Sequence, residues 1–162
     1  MNKFKYFCTL LLFISLSTNK PAHAQSTQEY SITWKKVNRE ESLRKFFGLY
    51  NSVLAEHAET FVQVADKYGF DYRILPAIAC VESTCGKFYI QKNNNPFGWG
   101  AGRIKFDSFD HAIERVGKGL YEIYISRGLD TIEKIAPVYN PPSPGSWINS
   151  ANFFISKIEK AF

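Results

Sequence analysis

The chain has 162 residues, of which 45% are hydrophobic and 22% charged, so it has room for one hydrophobic core and little more. Its formal net charge of +5 falls to +2 when Lys3, Lys5 and Lys20 are set aside, because 17 basic residues then stand against 15 acidic ones. A mixed surface of this kind argues against a phosphate-binding protein, and we expect no nucleic-acid partner.

Residues 1–24 have the pattern of a secretory signal peptide. Lys3 and Lys5 give a positive start, residues 6–16 are almost wholly apolar, and Ala22-His23-Ala24 supplies the small residues that a signal peptidase requires. The apolar run is shorter than the roughly 20 residues that span a membrane. We therefore expect an exported protein, periplasmic or extracellular, without stable membrane insertion after cleavage. An uncleaved anchor is the alternative.

The remaining chain predicts a loosely ordered N-terminal segment over residues 25–39 and one helical domain over residues 40–162. A short helix is expected from Glu41 to Tyr50, and a longer one follows, ending at Gly69. Apolar residues in the longer helix recur in steps of four and three, the spacing of an amphipathic helix. They are Leu54, Ala58, Phe61, Ala65 and Tyr68.

The next predicted helix contains Glu82, the most informative residue of the chain. Asp71 is suited to cap this helix, Pro76 fits if it lies near the first turn, and the end is expected between Ser83 and Gly86. Residues 87–106 have no helical period and are rich in asparagine, glycine and proline. We expect a long irregular loop there, with a short hairpin as an alternative.

Three further helices complete the predicted fold. One begins at Asp107 or Ser108 and closes at Gly128, and a second opens on an Asp130/Glu133 capping box and stops at Pro137. The last helix is expected to begin at Ser146. The fold class is therefore all-α, or α+β at most, with about five or six helices around one irregular loop.

Cys80 and Cys85 are the only cysteines after residue 24. In an oxidising compartment such a pair is a candidate disulfide, but five residues along a continuing helix would hold the two α-carbons too far apart. A bond therefore requires the helix to end between them, which Gly86 makes plausible. Two independently buried thiols are the alternative.

Glu82 shares the apolar stripe of its helix, since it lies seven residues after Leu75 and four after Ile78. A carboxyl group at the edge of a core loses solvation, which raises its pKa and suits it to act as a general acid. The same spacing also fits a glutamate at a helix end whose carboxylate reaches solvent.

Several motifs together resemble the glucosaminidase branch of the lysozyme superfamily. A helix ends in Glu82-Ser83 before a glycine, and Asn94-Asn95-Pro96-Phe97-Gly98-Trp99 follows like the turn that builds the family's sugar cleft. Residues 106–109 are similar to the family's Tyr/Phe-x-Ser-Phe segment, and residues 139–141 to its closing tyrosine segment. The likeness covers roughly residues 71–158.

The resemblance implies that Glu82 is the proton donor to the glycosidic oxygen and that Tyr139 assists catalysis. Aromatic side chains of the loop and its flanking segments offer flat apolar faces for sugar rings, although with 16% aromatic residues in the chain many must belong to the core. We expect substrate contacts from Ser83, Asn94, Asn95, Phe97, Gly98, Trp99 and Trp147. Asn95, which precedes Pro96, is equally well explained as a turn residue.

A second catalytic carboxylate is missing from the expected place, because no acidic residue lies between Glu82 and Asp107. Glycoside hydrolases usually hold two. Asp107 is explained by helix capping, and Asp110 and Glu114 by a solvated helix face. With a single acid, the 2-acetamido oxygen or the muramic 6-hydroxyl of the substrate would attack the anomeric carbon.

The sequence therefore predicts an endo-β-N-acetylglucosaminidase that acts on peptidoglycan glycan strands as a monomer. His57 and His111 lack partners at metal-ligand spacing, so we expect no metal and no cofactor. A lytic transglycosylase is the alternative enzyme. Two alternatives belong to other classes: a non-catalytic wall-binding module, and an assembly protein that opens a gap in the wall.

Overall fold

A computed structural model describes residues 38–161, which contain six α-helices and no strand. Helix α1 covers residues 38–49. The others are α2 (Ala58–Tyr68), α3 (Ile74–Ser83), α4 (Phe109–Ile123), α5 (Ile132–Tyr139) and α6 (Pro144–Glu159). Single 3-10 turns lie at Val53–His57, Gln91–Asn93 and Ile125–Arg127. The predicted all-α fold is confirmed.

Helix α3 lies at the centre of the domain. Nearly all of its residues are buried, including Pro76 in the first turn, and a helix that is apolar all round belongs inside a core. It packs against α6, which also contacts α5, while α2 packs against α4. This arrangement holds the C-terminal end of α3 between the long loop and the start of α6.

Several predicted boundaries are confirmed. Gly69 ends α2 in the left-handed conformation that glycine adopts readily, and α3 ends at Ser83 within the predicted interval. Ser108 caps α4 by accepting a hydrogen bond from the backbone N–H of His111. Leu54 belongs to the 3-10 turn before α2 rather than to α2 itself.

Other boundaries were predicted wrongly. No hairpin forms in residues 87–106, where the described backbone has only one 3-10 turn. Helix α5 continues past Pro137 to Tyr139, because a proline inside a helix removes only one backbone donor and the last turn still closes through Asn140. Thr131, not Asp130, caps α5, since its side chain accepts from the Lys134 N–H.

The start of α6 also differs from its prediction. The helix begins at Pro144, with Ser143 at the N-cap and Ser146 already inside it. Proline suits the first helical position because its fixed φ is helical and its missing N–H would have no partner there. Asp71 stands before Arg73, the N-cap of α3, and accepts from the Arg73 backbone N–H.

Residues 38 and 39 were predicted to be loosely ordered but begin α1. Arg39 makes two hydrogen bonds of 2.7 and 2.9 Å to the carboxylate of Asp66 on α2, and this pair helps to hold the start of the helix. The predictions for the signal peptide, and for the rest of residues 25–39, fall outside the described residues. Within residues 38–161 no helix has the length and apolar character to cross a membrane.

Cys80 and Cys85 form a disulfide. The condition set by the sequence is met, because α3 ends between them and Thr84, Cys85 and Gly86 all have positive φ. Three consecutive left-handed residues turn the chain back on the helix and bring the second sulfur to the first. Both cysteines are buried.

Candidate active site

Glu82 occupies the last turn of α3, next to the residues that turn the chain back. Its side chain opens into a cleft of about 370 Å³, a size typical of ligand sites. The cleft is lined by Glu82, Gly98, Trp99, Gly100, Tyr124, Tyr139 and Asn140. Four parts of the chain therefore meet here: the end of α3, the long loop, the end of α4 and the end of α5.

Gly98 brings the backbone of the loop directly against the catalytic candidate. A Cβ atom built on Gly98 would lie 3.2 Å from Oε2 of Glu82, and its φ of +59° is rarely adopted by other residues. Both observations require glycine at this position. The loop thus covers one side of the carboxyl group with backbone alone.

Trp147 covers the other side. Its indole Nε1 donates a hydrogen bond of 3.3 Å to Oε1 of Glu82, although 65 residues separate the two in sequence. Trp147 is buried near the start of α6, and its ring lies 4.8 Å from that of Tyr139 between centroids. Tyr139 in turn lies 6.2 Å from Tyr124.

The pKa of Glu82 is raised above its usual value because the surrounding protein removes part of its hydration, and the Trp147 hydrogen bond offsets this only in part. The residue still exposes surface to the cleft. The loss of hydration falls on the carboxyl group itself, because one of its oxygens lies against Gly98 and the other accepts from Trp147. A raised pKa suits a proton donor that water and substrate can reach.

Tyr139 is a neutral phenol in this site. Burial, and then the nearby charge of Glu82, raise the pKa of its hydroxyl well above the ordinary value. The hydroxyl therefore stays protonated at neutral pH and is able to donate a hydrogen bond into the cleft. It is not a candidate base.

The acidic residues considered as a second carboxylate are engaged elsewhere. Asp107 is exposed and pairs with His111, Asp110 binds His57 and Thr60, and Glu114 binds Lys67 and Tyr68. None of them contributes to the pKa shift of Glu82, which has only burial and Trp147 as causes. Among the described residues, Glu82 is the one acid that lines the cleft.

Asn94 and Asn95, predicted to bind substrate, use their amide groups to shape the loop instead. Asn94 donates to the carbonyl oxygens of Phe106 and Asp107. Asn95 donates to those of Trp99 and Ile104 and accepts from the Trp99 N–H. Neither lines the cleft. The prediction of direct sugar contact is therefore corrected for both, and the turn interpretation holds for Asn95.

Phe97 and Ser83 are corrected for a similar reason. Phe97 is only 1% exposed and packs against Phe61 of α2, so its ring supports the loop from below and offers no face to a sugar. Ser83 is buried, donates to the Ala79 carbonyl and accepts from the Gly86 N–H. Gly98 and Trp99 do line the cleft, as the sequence suggested. Trp147 is buried, and its link to the cleft is the hydrogen bond that it donates to Glu82.

Tyr124 and Asn140 line the cleft but were not predicted as site residues. Asn140 directly follows Tyr139, and its side-chain amide makes no hydrogen bond to any residue from 38 to 161. Its place in the Tyr139-Asn140-Pro141 segment was a usable signal. Tyr124 gave none, because the end of α4 reaches the cleft only through tertiary packing.

No group of three or more histidine, cysteine, aspartate or glutamate side chains within residues 38–161 is arranged to hold a metal ion. His57 pairs with Asp110, and His111 with Asp107. Compared with models of known protein families and with curated proteins, the chain matches none.

Proposed function

We propose that this protein cleaves the glycan strands of peptidoglycan as an endo-β-N-acetylglucosaminidase, with Glu82 as the general acid. The observation that carries the proposal is a carboxyl group of raised pKa in an open cleft, held between Gly98 and Trp147. Trp99, Tyr124 and Tyr139 give the cleft aromatic surfaces, and Asn140 an amide. Export to the periplasm or cell exterior, and action as a monomer, belong to the same proposal.

In the proposed reaction, protonated Glu82 gives its proton to the glycosidic oxygen as the bond to the anomeric carbon breaks. The 2-acetamido oxygen of the same sugar attacks that carbon and forms a cyclic intermediate. Glu82, now a carboxylate, takes a proton from water as the water oxygen bonds to the anomeric carbon and opens the ring. The acid is restored, and no second carboxylate is needed.

Tyr139 and Asn140 assist this chemistry. The neutral Tyr139 hydroxyl donates a hydrogen bond that orients the acetamido group or the attacking water. The Asn140 side chain has a donor and an acceptor that make no hydrogen bond to residues 38–161, which matches the carbonyl and N–H of an acetamido group. These roles follow from groups that line one cleft with Glu82.

A lytic transglycosylase is the second candidate, favoured by the lack of another acid beside Glu82 among the described residues. The muramic 6-hydroxyl would attack the anomeric carbon in place of water. Glu82 would first donate its proton to the leaving oxygen and then accept the 6-hydroxyl proton. The product would be a 1,6-anhydro sugar.

The test is digestion of purified peptidoglycan followed by mass analysis of the released fragments. Reducing N-acetylglucosamine ends support the hydrolase, and 1,6-anhydro ends support the transglycosylase. The Glu82→Gln variant should lose about 10²- to 10⁴-fold in rate, the usual contribution of a general acid. Glu56→Gln, which changes an exposed glutamate outside the cleft, should retain activity.

A protein that releases no fragments but binds the strands equally with and without the Glu82→Gln change is a wall-binding module. Copurification of an inactive protein with an envelope-spanning machine would instead favour the assembly role. Either result would overturn the enzymatic proposal.

A further inference from the structure

The loop beside the cleft has an unusual charge. Residues 87–105, named here the basic loop, contain Lys87, Lys92, Arg103 and Lys105 and no acidic residue. All four basic side chains belong to exposed residues, and none pairs with a carboxylate from residues 38–161. Within residues 38–161, these four positive charges have no compensating carboxylate.

Many basic residues elsewhere in the described chain are paired with carboxylates. Six of them form ion pairs with a carboxylate that lies on a helix or just before one. They are Arg39, Lys45, Lys67, Arg73, Lys118 and Lys134. The other described basic residues without such a pair are spread along the chain, at Arg44, Arg115, Arg127, Lys157 and Lys160, whereas the basic loop carries four basic residues and no acidic one. Such a concentration attracts anionic ligands over about one Debye length.

The hydrogen bonds of the loop join the segments that carry Lys92, Arg103 and Lys105 to the segment that lines the cleft. Asn93 accepts at its carbonyl from the Phe106 N–H and donates from its side chain to the Gly102 carbonyl, so Lys92 lies on a segment joined to that of Arg103 and Lys105. The Arg103 N–H donates to the carbonyl of Gly100, which lines the cleft. The basic loop therefore forms one lip of the cleft.

The charges flank the reacting centre without entering it. None of the four basic residues lines the cleft or contributes to the pKa shift of Glu82. They are therefore positioned for parts of a bound strand that project from the sugar at Glu82. In peptidoglycan those projecting parts are the stem peptides, which end in carboxylates.

We propose that the basic loop binds the carboxylates of stem peptides, so that the preferred substrate is a glycan strand that still carries its stems. This inference rests on the proposed function and names the substrate class for the same site. Phosphate groups of wall polymers share this anionic chemistry, so the test uses strands freed of such polymers.

The experiment compares strands bearing stems with the same strands after an amidase has removed the stems and the lactyl carboxylates that this hydrolysis exposes have been converted to amides. Binding is measured in the Glu82→Gln background, and kcat/KM in the otherwise native protein. The variant Arg103→Gln/Lys105→Gln should weaken binding of stem-bearing strands by about two- to five-fold per charge, the range of exposed ion pairs. It should change binding of stripped strands little, and added salt should remove the difference.

The matched control is Arg44→Gln/Lys160→Gln. Both residues are exposed and without an ion pair to residues 38–161, and they lie near Ser42 and Ile158, which meet at the far end of α6 from Trp147. The control should bind both substrates as the parent does. Equal losses on stem-bearing and stripped strands, or an equal loss in the control, would overturn the inference.

Binding separates this inference from the proposed function. If the native protein cuts neither substrate, the enzymatic proposal fails, yet the preference for stem-bearing strands still decides the role of the basic loop. If the protein cuts both at equal kcat/KM and binds both equally, the enzyme proposal stands and the stem proposal is wrong.

Discussion

At Glu82 two physical effects oppose each other. Partial burial favours the protonated acid, while the hydrogen bond from the Trp147 indole favours the carboxylate. Burial is the larger effect, so the pKa is raised, and Trp147 limits the rise. The same indole also fixes the direction of the carboxyl group toward the cleft. Trp147 is thus a positioning residue for the proposed acid.

Replacing Trp147 with phenylalanine should move the alkaline limb of the kcat/KM profile to higher pH. The acid must be protonated, so activity falls as pH rises through the Glu82 pKa, and loss of the indole donor raises that pKa further. A phenylalanine ring keeps most of the packing against Tyr139. The measurement is kcat/KM against pH, with a thermal melt to verify folding.

Trp99→Phe is the control, because Trp99 lines the cleft without contacting Glu82 through a hydrogen bond. Its alkaline limb should stay where the native limb lies. An unmoved limb in Trp147→Phe, or a move to lower pH, would contradict the assigned role of the indole.

Asn140→Ala should raise KM for N-acetylated strands about five-fold, the equivalent of one hydrogen bond of about 1 kcal/mol. The side chain lines the cleft and has no hydrogen bond to residues 38–161, so its loss should not affect folding. Strands whose acetyl groups have been removed lack the nucleophile of the proposed reaction, so they are compared by binding in the Glu82→Gln background, where the Asn140→Ala change should leave the dissociation constant unchanged. An equal loss on both substrates would mean that Asn140 does not bind the acetamido group.

Helix spacing placed Glu82 on the apolar stripe of its helix but fitted a solvent-reaching glutamate as well, and the resemblance to the glucosaminidase branch singled it out as the acid. The sequence could not separate Asn140 from Asn94 and Asn95, because an asparagine that binds sugar and one that braces a turn have the same chemistry. Only the loop geometry reveals that Asn94 and Asn95 donate to backbone carbonyls. Packing against Phe61 places the Phe97 ring in the core and not in the cleft. The sequence could not show this, because the contact joins residues that are distant in sequence.

Helix α4 uses two glycines for different contacts. Gly119 faces Trp99, where an added Cβ would lie 2.7 Å from Cζ2 of the indole. Gly117 faces Val64 of α2, and an added Cβ there would overlap the valine side chain. Gly119 thus leaves room for a residue of the cleft, and Gly117 leaves room for the packing of α4 against α2.

Gly119→Ala should displace Trp99 and lower kcat/KM by up to about 10²-fold, the effect of an ångström-scale misplacement in a binding site. Stability should change little, because alanine is favoured over glycine in a helix by up to about 1 kcal/mol. Steady-state kinetics and chemical denaturation measure the two effects.

Gly117→Ala should give the opposite pattern. Overpacking between α2 and α4 should lower the free energy of unfolding by about 1 to 3 kcal/mol, with little change in kcat/KM per folded molecule. If the two variants lose activity and stability in the same proportion, Gly119 acts on the fold and not on the cleft.

Element boundaries were predictable where local chemistry decides them. Gly69 and Ser108 mark helix ends by their own backbone and side-chain preferences. The predictions failed where two local signals compete, as with Asp130 and Thr131 at the start of α5 or Ser143 and Ser146 at the start of α6. In α5, packing on α6 outweighs the preference of Pro137 for a helix end.

At the scale of the whole molecule, the site depends on joining distant parts of the chain. The α3–α6 packing brings Trp147 to Glu82, and the buried Ser42 hydroxyl donates to the Ile158 carbonyl, linking the first helix to the last. Sequence periodicity predicts which face of each helix is buried but not which helix it meets. The helices were therefore predictable, while the place of Tyr124 in the cleft was not.

The disulfide constrains the unfolded chain as well as the site. Cys80 and Cys85 lie on either side of Glu82, and the bond holds Thr84 and Cys85 in the left-handed region, which residues with side chains rarely adopt. Closing so short a loop removes conformations from the unfolded state. Loop entropy gives a stabilisation of about 2 kcal/mol for a separation of five residues.

The double variant Cys80→Ala/Cys85→Ala should therefore lower the free energy of unfolding of the domain by about 2 kcal/mol, measured by denaturant titration. Well below the melting temperature it should also lower kcat. Without the disulfide, the helix end that carries Glu82 is held less firmly in its place between Trp147 and Gly98. Mass spectrometry of the native protein establishes whether the thiols are oxidised. Equal stability of the variant and the oxidised protein would mean that the turn after α3 holds Glu82 without help from the bond.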